Sequence, residues 1–343
     1  MPGPLKILIV DDSSFIRRVY RDMLNGEPDM QVIGEAEDPI QARDFMKHHQ
    51  PDVITLDIEM PRMDGLSFLK KLMARRPTPV VMSSTLTQKG ADITLQALEA
   101  GAVEVVAKPV DGGDINRVHE ELVSKVRAAA TARLNLPPRP IAPPPDVSRR
   151  KLKPVFILLG ASTGGVETLR SMLSGLPALM PPILLTQHMP VTFTTSFARN
   201  LNRASSLTVE LAQSGTVPLA GHVYLAPGDR HLQLRHKGGN TTLHLDDGDP
   251  VSGHKPSVDV MFQSAAESGL PCIAALLTGM GKDGAKGLLA LRESGAHTIA
   301  QDEQSCVVYG MPKAAVQIGA VSEELPPERI IARLLAPLPM PVI

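Results

Sequence analysis

Two sets of polar residues in this sequence match known reaction chemistry, and both fall at the ends of apolar runs. In the first, Asp11 and Asp12 follow KILIV (6–10), Asp57 closes VITLD (53–57), Ser84 closes VVMSS (80–84) and Lys108 closes VEVVAK (103–108). Three carboxylates held together repel one another unless a cation joins them, and hard oxygen ligands suit Mg²⁺. With the metal and Lys108 neutralising phosphate charge and Ser84 donating a hydrogen bond, the set is equipped for phosphoryl transfer to a carboxylate. Singly, Asp11-Asp12 is a helix N-cap and Lys108-Pro109 a loop start. Only the set in register points to chemistry.

The second set is hydrolytic. GASTG (160–164) follows one apolar run and precedes a helical pattern, which is the context of a nucleophile elbow presenting Ser162. Alone, that pattern is an ordinary Gly-rich turn or an anion-cradling loop. A serine nucleophile needs a general base, and the base needs an orienting carboxylate. His188 ends the run ILLTQH (183–188), and Asp283 lies in TGMGKDG just past CIAAL. The chain order Ser, His, Asp differs from that of α/β-hydrolases, so the logic is shared but the family is not. GMGKDG is no Walker A loop, because position 276 is Leu and Asp follows the lysine. His254, in GHKPSVD, is a further candidate to line the cleft. His48, His49, His236 and His244 read as solvated or structural.

The elements that must position these residues alternate between short solid apolar strands and helical patterns. Helices are expected from Ser13, Gly65, Ala91 and about Asp114, with a strand near Val32 and a helix at 40–48. This makes five βα units and a parallel sheet covered on both faces. In such a sheet ligands bind at the carboxyl ends of strands, where strand order reverses. The second half repeats this grammar through VFILLGAS (155–162), ILLTQH and CIAALLTG (272–279). From about 207 to 254 frequent turns predict hairpins added to the parallel sheet.

Residues 131–153 carry six basic and one acidic side chain, and six prolines fall between 137 and 145. Such a stretch favours an extended polyproline form and divides the chain into domains 1–130 and 154–343. The net charge of −1, the absence of Trp and the 3% aromatic content argue against nucleic-acid binding. No apolar run reaches the ~20 residues of a membrane span, so direct membrane insertion is not expected. The first run, Leu5–Val10, is too short for a secretory signal, and a cytoplasmic location is expected. Cys272 and Cys306, with no CxxC or metal spacing, read as buried thiols.

ILIVDDS, LDIEMPRMDG, the serines of VVMSS and VAKP together resemble the response-regulator receiver family. That resemblance implies a flavodoxin-like sheet, Asp57 as phosphoacceptor, and Mg²⁺ held by Asp11, Asp12 and the backbone carbonyl of Glu59. Val105 stands where many receivers carry an aromatic residue. With GASTGG, QHMP, HKPSVD and TGMGKDGA following in order, the chain is similar to the chemotaxis protein-glutamate methylesterases of the CheB family. The implied triad is Ser162, His188 and Asp283, and the ester reaction needs no cofactor. Backbone groups near Thr163 and Met280 are the candidates for the oxyanion site.

The implied substrate is a glutamate γ-methyl ester on chemoreceptor helices, and many members also deamidate receptor glutamines. The implied phosphodonor is a chemotaxis sensor histidine kinase. The Pro-rich segment spans up to ~60 Å at ~3.1 Å per residue, which lets the receiver either cover the Ser162 cleft or swing clear. The joining of the two domains and the resemblance imply that the unphosphorylated receiver covers the cleft and that phosphorylation of Asp57 biases the domains apart. Two readings of other classes stay open: a transcription regulator, which predicts a helix-turn-helix and a basic face, and a binding module that holds an anion at GASTGG.

Overall fold

The structure is a computed structural model describing residues 3–60, 63–85, 88–109, 114–134 and 156–336. The linker expected at 131–153 lies, from residue 135 onward, outside the described residues. The chain divides into two compact units, residues 1–136 and 137–343.

The first unit runs β1 (Leu5–Val10), α1 (Ser14–Asn25), β2 (Met30–Ala36), α2 (Pro39–Met46), β3 (Val53–Asp57), α3 (Gly65–Arg75), β4 (Val80–Ser84), α4 (Gln88–Glu99), β5 (Glu104–Ala107) and α5 (Ile115–Ala130). The strands form one parallel sheet in the order β2-β1-β3-β4-β5. Every residue of β3 and β4 is buried, which is why these strands read as solid apolar runs and not as alternation. Polar residues at the strand-to-helix turns start the helices. The Ser13 hydroxyl accepts from the Ile16 N–H, and the Asp38, Asp64 and Asp114 carboxylates cap α2, α3 and α5.

The second unit runs β6 (Phe156–Ala161), α6 (Gly165–Ser174), β7 (Ile183–Gln187), α7 (Val191–Ala204), β8 (Thr208–Leu211), β9 (His222–Leu225), β10 (His231–Lys237), β11 (Asn240–Asp246), α8 (Val258–Ser268), β12 (Cys272–Leu276), α9 (Ala285–Glu293), β13 (His297–Gln301), α10 (Met311–Gln317), β14 (Glu323–Leu325) and α11 (Pro327–Leu335). Its sheet has the order β14-β13-β12-β6-β7-β9-β8, with every pairing parallel. Both units are thus doubly wound α/β folds, as the alternation of apolar runs and helical patterns predicted.

The stretch 207–254 differs in detail from the expected hairpins on the main sheet. β8 and β9 extend that sheet in parallel, with Thr208 beside His222. The turn-rich segment 212–221 between them is a crossover; its Gly215, Pro218 and Gly221 mimic hairpin punctuation, but its length suffices to bring the chain back. The one hairpin in this stretch, β10–β11, forms its own two-stranded sheet and turns at Gly238-Gly239, both at positive φ. Its apolar face, Leu232, Leu234 and Leu243, joins Val258, Met261 and Phe262 of α8 in the core. Among the described residues no helix is long and apolar enough to cross a membrane.

Candidate active site and acidic pocket

β6 lies between β7 and β12, and the strand order reverses there, which opens a crevice at the carboxyl ends of these three strands. Ser162 follows β6, His188 follows β7 and Asp283 lies beyond β12, so three segments distant in sequence meet at one sheet edge. The Ser162 N–H donates to the Thr278 carbonyl at 3.0 Å, and the Gly165 N–H closes the turn on the Ser162 carbonyl at 2.7 Å. Gly164 takes φ +77°, a left-handed conformation, and a Cβ there would meet Val307 at 2.5 Å. Gly279, on the β12 side, lets the backbone lie against the nucleophile; a Cβ would sit 2.7 Å from that of Ser162.

The His188 Nε2 lies 2.8 Å from the Asp283 Oδ2. A carboxylate only accepts, so the ring proton belongs on Nε2 and the Nδ1 lone pair is left for other work. That Nδ1 is buried and has no hydrogen-bond partner among the described residues. The His188 ring stacks on His254, centroids 3.9 Å apart and planes 10° from parallel. His254 is presented by a tight turn in which Val251 and His254 exchange backbone hydrogen bonds of 3.0 and 2.9 Å. The turn places Ser252 and Gly253 at φ 54° and 81°.

Asp283 is buried, 1% exposed, and sits on the N-terminus of α8. Its Oδ1 accepts from the Ser257 hydroxyl at 2.7 Å and the Asp259 N–H at 3.2 Å; its Oδ2 also accepts from the Val258 N–H at 2.7 Å. Burial by itself would raise this carboxyl. The hydrogen bond and charge of His188, with the Ser257 and Val258 donors, outweigh burial and hold it at about 2. The helix end favours the anion further. The arrangement is reciprocal: Asp259, in the first turn of α8, accepts from the Gly287 N–H of α9 at 2.7 Å, while Asp283 stands just before α9.

The two oxyanion candidates belong to braced segments. Thr163 is buried, and the Thr278 hydroxyl donates to its carbonyl at 2.9 Å. The Gly279 carbonyl accepts from Gly310 and Met311 N–H at 3.0 and 2.8 Å. In a trans peptide the N–H opposes the C=O, so the Met280 N–H points away from α10.

In the first unit the order reverses between β1 and β3, and the acids meet there. Asp11, Asp12 and Asp57 offer oxygen atoms within 4.8 Å of one another, a donor set that suits a hard divalent cation. Lys108 Nζ lies 2.9 Å from Asp11 and 2.8 Å from Asp57. Burial, followed by the charge of Asp11, pushes Asp57 up to about 6 despite the lysine. Asp11 is likewise raised by burial. Burial would lower Lys108, but its bonds to the two carboxylates outweigh this and raise it. Glu59 contributes its N–H to Asp57 Oδ1 at 3.3 Å and lines the cleft beside Asp12. The Ser84 hydroxyl faces elsewhere, donating to the Thr85 carbonyl and accepting from Thr94, both at 3.1 Å. Val105 is buried.

The CheB methylesterase family model matches residues 157–334, and the response regulator receiver domain model matches residues 7–120. Over 340 residues the chain is 49% identical to protein-glutamate methylesterase/protein-glutamine glutaminase 2 of Pseudomonas aeruginosa, covering 97% of this chain and 96% of that protein. Over 344 residues it is 50% identical to the protein-glutamate methylesterase/protein-glutamine glutaminase of Bordetella parapertussis, covering 96% and 97%. The chain belongs to the CheB methylesterase family. Among solved structures, the Thermotoga maritima CheB methylesterase catalytic domain matches at 39% identity with a TM-score of 0.52, covering 54% of this chain and 98% of that one.

Within this CheB-family fold, several residues around the triad candidates escape sequence reading. The Gln187 amide donates to the Ser162 and His188 carbonyls at 2.9 and 3.1 Å and so ties the elbow to β7. Thr278 binds both Thr163 and Val308, and its own N–H is held by Gln301 at 2.8 Å. Ser257 was within reach of sequence reading, because a serine two residues before an acid at a helix start is an N-cap signal. Gln187, Thr278 and Gln301 carry no such local signal.

Proposed function

We propose that this chain hydrolyses glutamate γ-methyl esters on chemoreceptors and that phosphorylation of Asp57 regulates the reaction. The buried His188–Asp283 pair at 2.8 Å, set at the strand end next to the Ser162 elbow, is the observation that carries the reading. Ser162 Oγ attacks the ester carbonyl while His188 Nδ1 takes its proton, because Nε2 is committed to Asp283. The tetrahedral oxyanion is met by backbone N–H groups at Met280 and near Thr163. His188 returns the proton to the methoxy oxygen, the C–O bond breaks and methanol leaves. Water then attacks the acyl-enzyme, losing its proton to the same Nδ1, and frees the glutamate carboxylate and Ser162. An amide in place of the ester would follow the same path and release ammonia, which is the reading for receptor glutamine.

In the receiver, Asp11, Asp12 and the Glu59 carbonyl would hold Mg²⁺, which supplies charge neutralisation for a phosphoryl group arriving at Asp57. Lys108 would turn one of its donors to the phosphate, and Ser84 would rotate from Thr94 to do the same. The phosphodonor is read as a sensor histidine kinase and the location as the cytoplasm.

The decisive test is Ser162→Ala. Methanol release from methylated receptor should fall by about 10⁶-fold with the fold retained, as for other serine nucleophiles. Near-normal turnover would remove Ser162 from the mechanism. On the receiver side, Asp57→Asn should take up no label from a phosphorylated kinase in Mg²⁺ and should lose any response of methanol release to phosphodonor. Equal labelling of the variant would refute the phosphoacceptor assignment.

A further inference from the structure

The buried histidine of the hairpin, His231, belongs neither to the triad nor to the cleft wall. It is 1% exposed and opens β10. Both ring nitrogens are used. Nδ1 accepts from the Ser257 N–H at 3.1 Å, and Nε2 meets the Asp249 carbonyl at 3.0 Å. An N–H on one side and a C=O on the other fix a single neutral tautomer, with the proton on Nε2.

These two backbone groups are the ends of one loop, 249–257. The loop carries His254, whose ring stacks on His188. It ends at Ser257, the N-cap of α8, whose hydroxyl donates to Asp283 at 2.7 Å. The next two residues, Val258 and Asp259, supply the remaining backbone donors to the same carboxylate. His231 Nδ1 holds the Ser257 N–H, in the peptide immediately before the one that carries the Val258 donor, and so anchors the backbone from which these donors and the Ser257 hydroxyl project.

We infer that His231 is a positioning residue for the hydrolytic site: it closes the loop 249–257 and, through Ser257, orients the carboxylate that holds His188. The inference rests on reading Ser162, His188 and Asp283 as the triad. No proton passes through His231, and it touches no substrate. Its contribution is geometric and depends on the acceptor at Nδ1 more than on the donor at Nε2, because only the Nδ1 contact leads to Asp283.

That asymmetry gives the test. In His231→Asn the side-chain oxygen stands near the place of Nδ1 and keeps the acceptor. In His231→Gln the amide nitrogen reaches toward the place of Nε2, and the Nδ1 acceptor is lost. In the full chain, with methylated receptor as substrate, Gln should lower kcat about tenfold or more with KM within about twofold, and Asn should stay within about threefold of the parent kcat. Combining His231→Gln with Ser257→Ala should lower kcat by less than the product of the two single effects, since both act on the Asp283 carboxylate, His231 through the Ser257 N–H and Ser257 through its hydroxyl. Equal kcat values for Asn and Gln, or independent multiplication of the His231→Gln and Ser257→Ala effects, would overturn the inference while leaving the esterase reading intact. A parent chain with no Ser162-dependent methanol release would overturn both. The Asn and Gln variants both keep a polar amide at the buried position, so the comparison holds even where His231→Phe fails to fold.

Discussion

The two units place carboxylates at the same address, the switch point of a parallel sheet, and treat them in opposite ways. Asp57 shares its pocket with Asp11 and Asp12, and is raised to about 6 by burial and by the Asp11 charge. Asp283 has four donors around it and is held at about 2. One pocket is short of positive charge and suits a cation and a phosphoryl group. The other is complete: its anion is bound by the His188 ring and by the N-terminus of α8. The fold class alone therefore says little about chemistry; the donors supplied by the neighbouring loops decide it.

The sharpest way to break this comparison is Asp283→Asn. The amide cannot hold His188 in the same tautomer, and kcat for methanol release should fall by about 10⁴-fold, as in other triads. Activity within tenfold of the parent would show that the buried carboxylate is structural.

The next effect concerns stability and pH, and it has opposite signs at Asp57 and Asp283. Asp57 has a folded pKa of about 6, above its ordinary 3.8, so its contribution favours folding at low pH and is lost as pH rises through about 4 to 6. Asp283, lowered to about 2, contributes stability at neutral pH that is lost only as pH falls from about 4 toward 2. Calorimetry of the full chain should show the receiver transition rising as pH falls from 7 to 5, a rise that Asp57→Asn should diminish. Asp57→Asn should stabilise the receiver at pH 7 by about 1–2 kcal/mol, less than the whole shift because Lys108 loses a partner. A destabilised receiver in that variant would contradict the electrostatic account of its pocket.

The smallest expected effect is at His254. In the proposed mechanism His188 becomes cationic in the transition state, and the stacked ring presents a π face to it. His254→Leu keeps the apolar contact but not that face, and should reduce kcat by about two- to fivefold with KM unchanged. An unaltered kcat would mean that the stack only packs.

The strand ends were legible because short, largely apolar runs stop at polar residues: Asp11, Asp57, Ser162 and His188 all close or follow such runs. Asp283 was legible from its glycine-rich loop. What stayed hidden depends on contacts between distant segments. His231 and Ser257 lie 26 positions apart, and nothing local to either marks the bond between them. The hairpins expected over 207–254 became one hairpin and a crossover, because Gly and Pro punctuate both in the same way. Ser84 was placed at the right strand end, but its rotamer, turned to Thr94, answers to packing that no strand pattern encodes.

The exchange of carboxylates between α8 and α9 has an evolutionary consequence. Asp283 caps one helix and Asp259 the other, so each acid is part of the scaffold whether or not the site turns over. Among the described residues the Nδ1 of His188 has no such second duty, and the elbow bonds made by Ser162 come from its backbone, which any residue there would supply. A descendant that abandoned catalysis while keeping this fold would therefore be free to drift first at Ser162, with Asp283 and Asp259 retained together long after the activity had gone. In such a lineage the surviving aspartates would be poor witnesses to function, and the identity of the residue at the elbow would be the one to read.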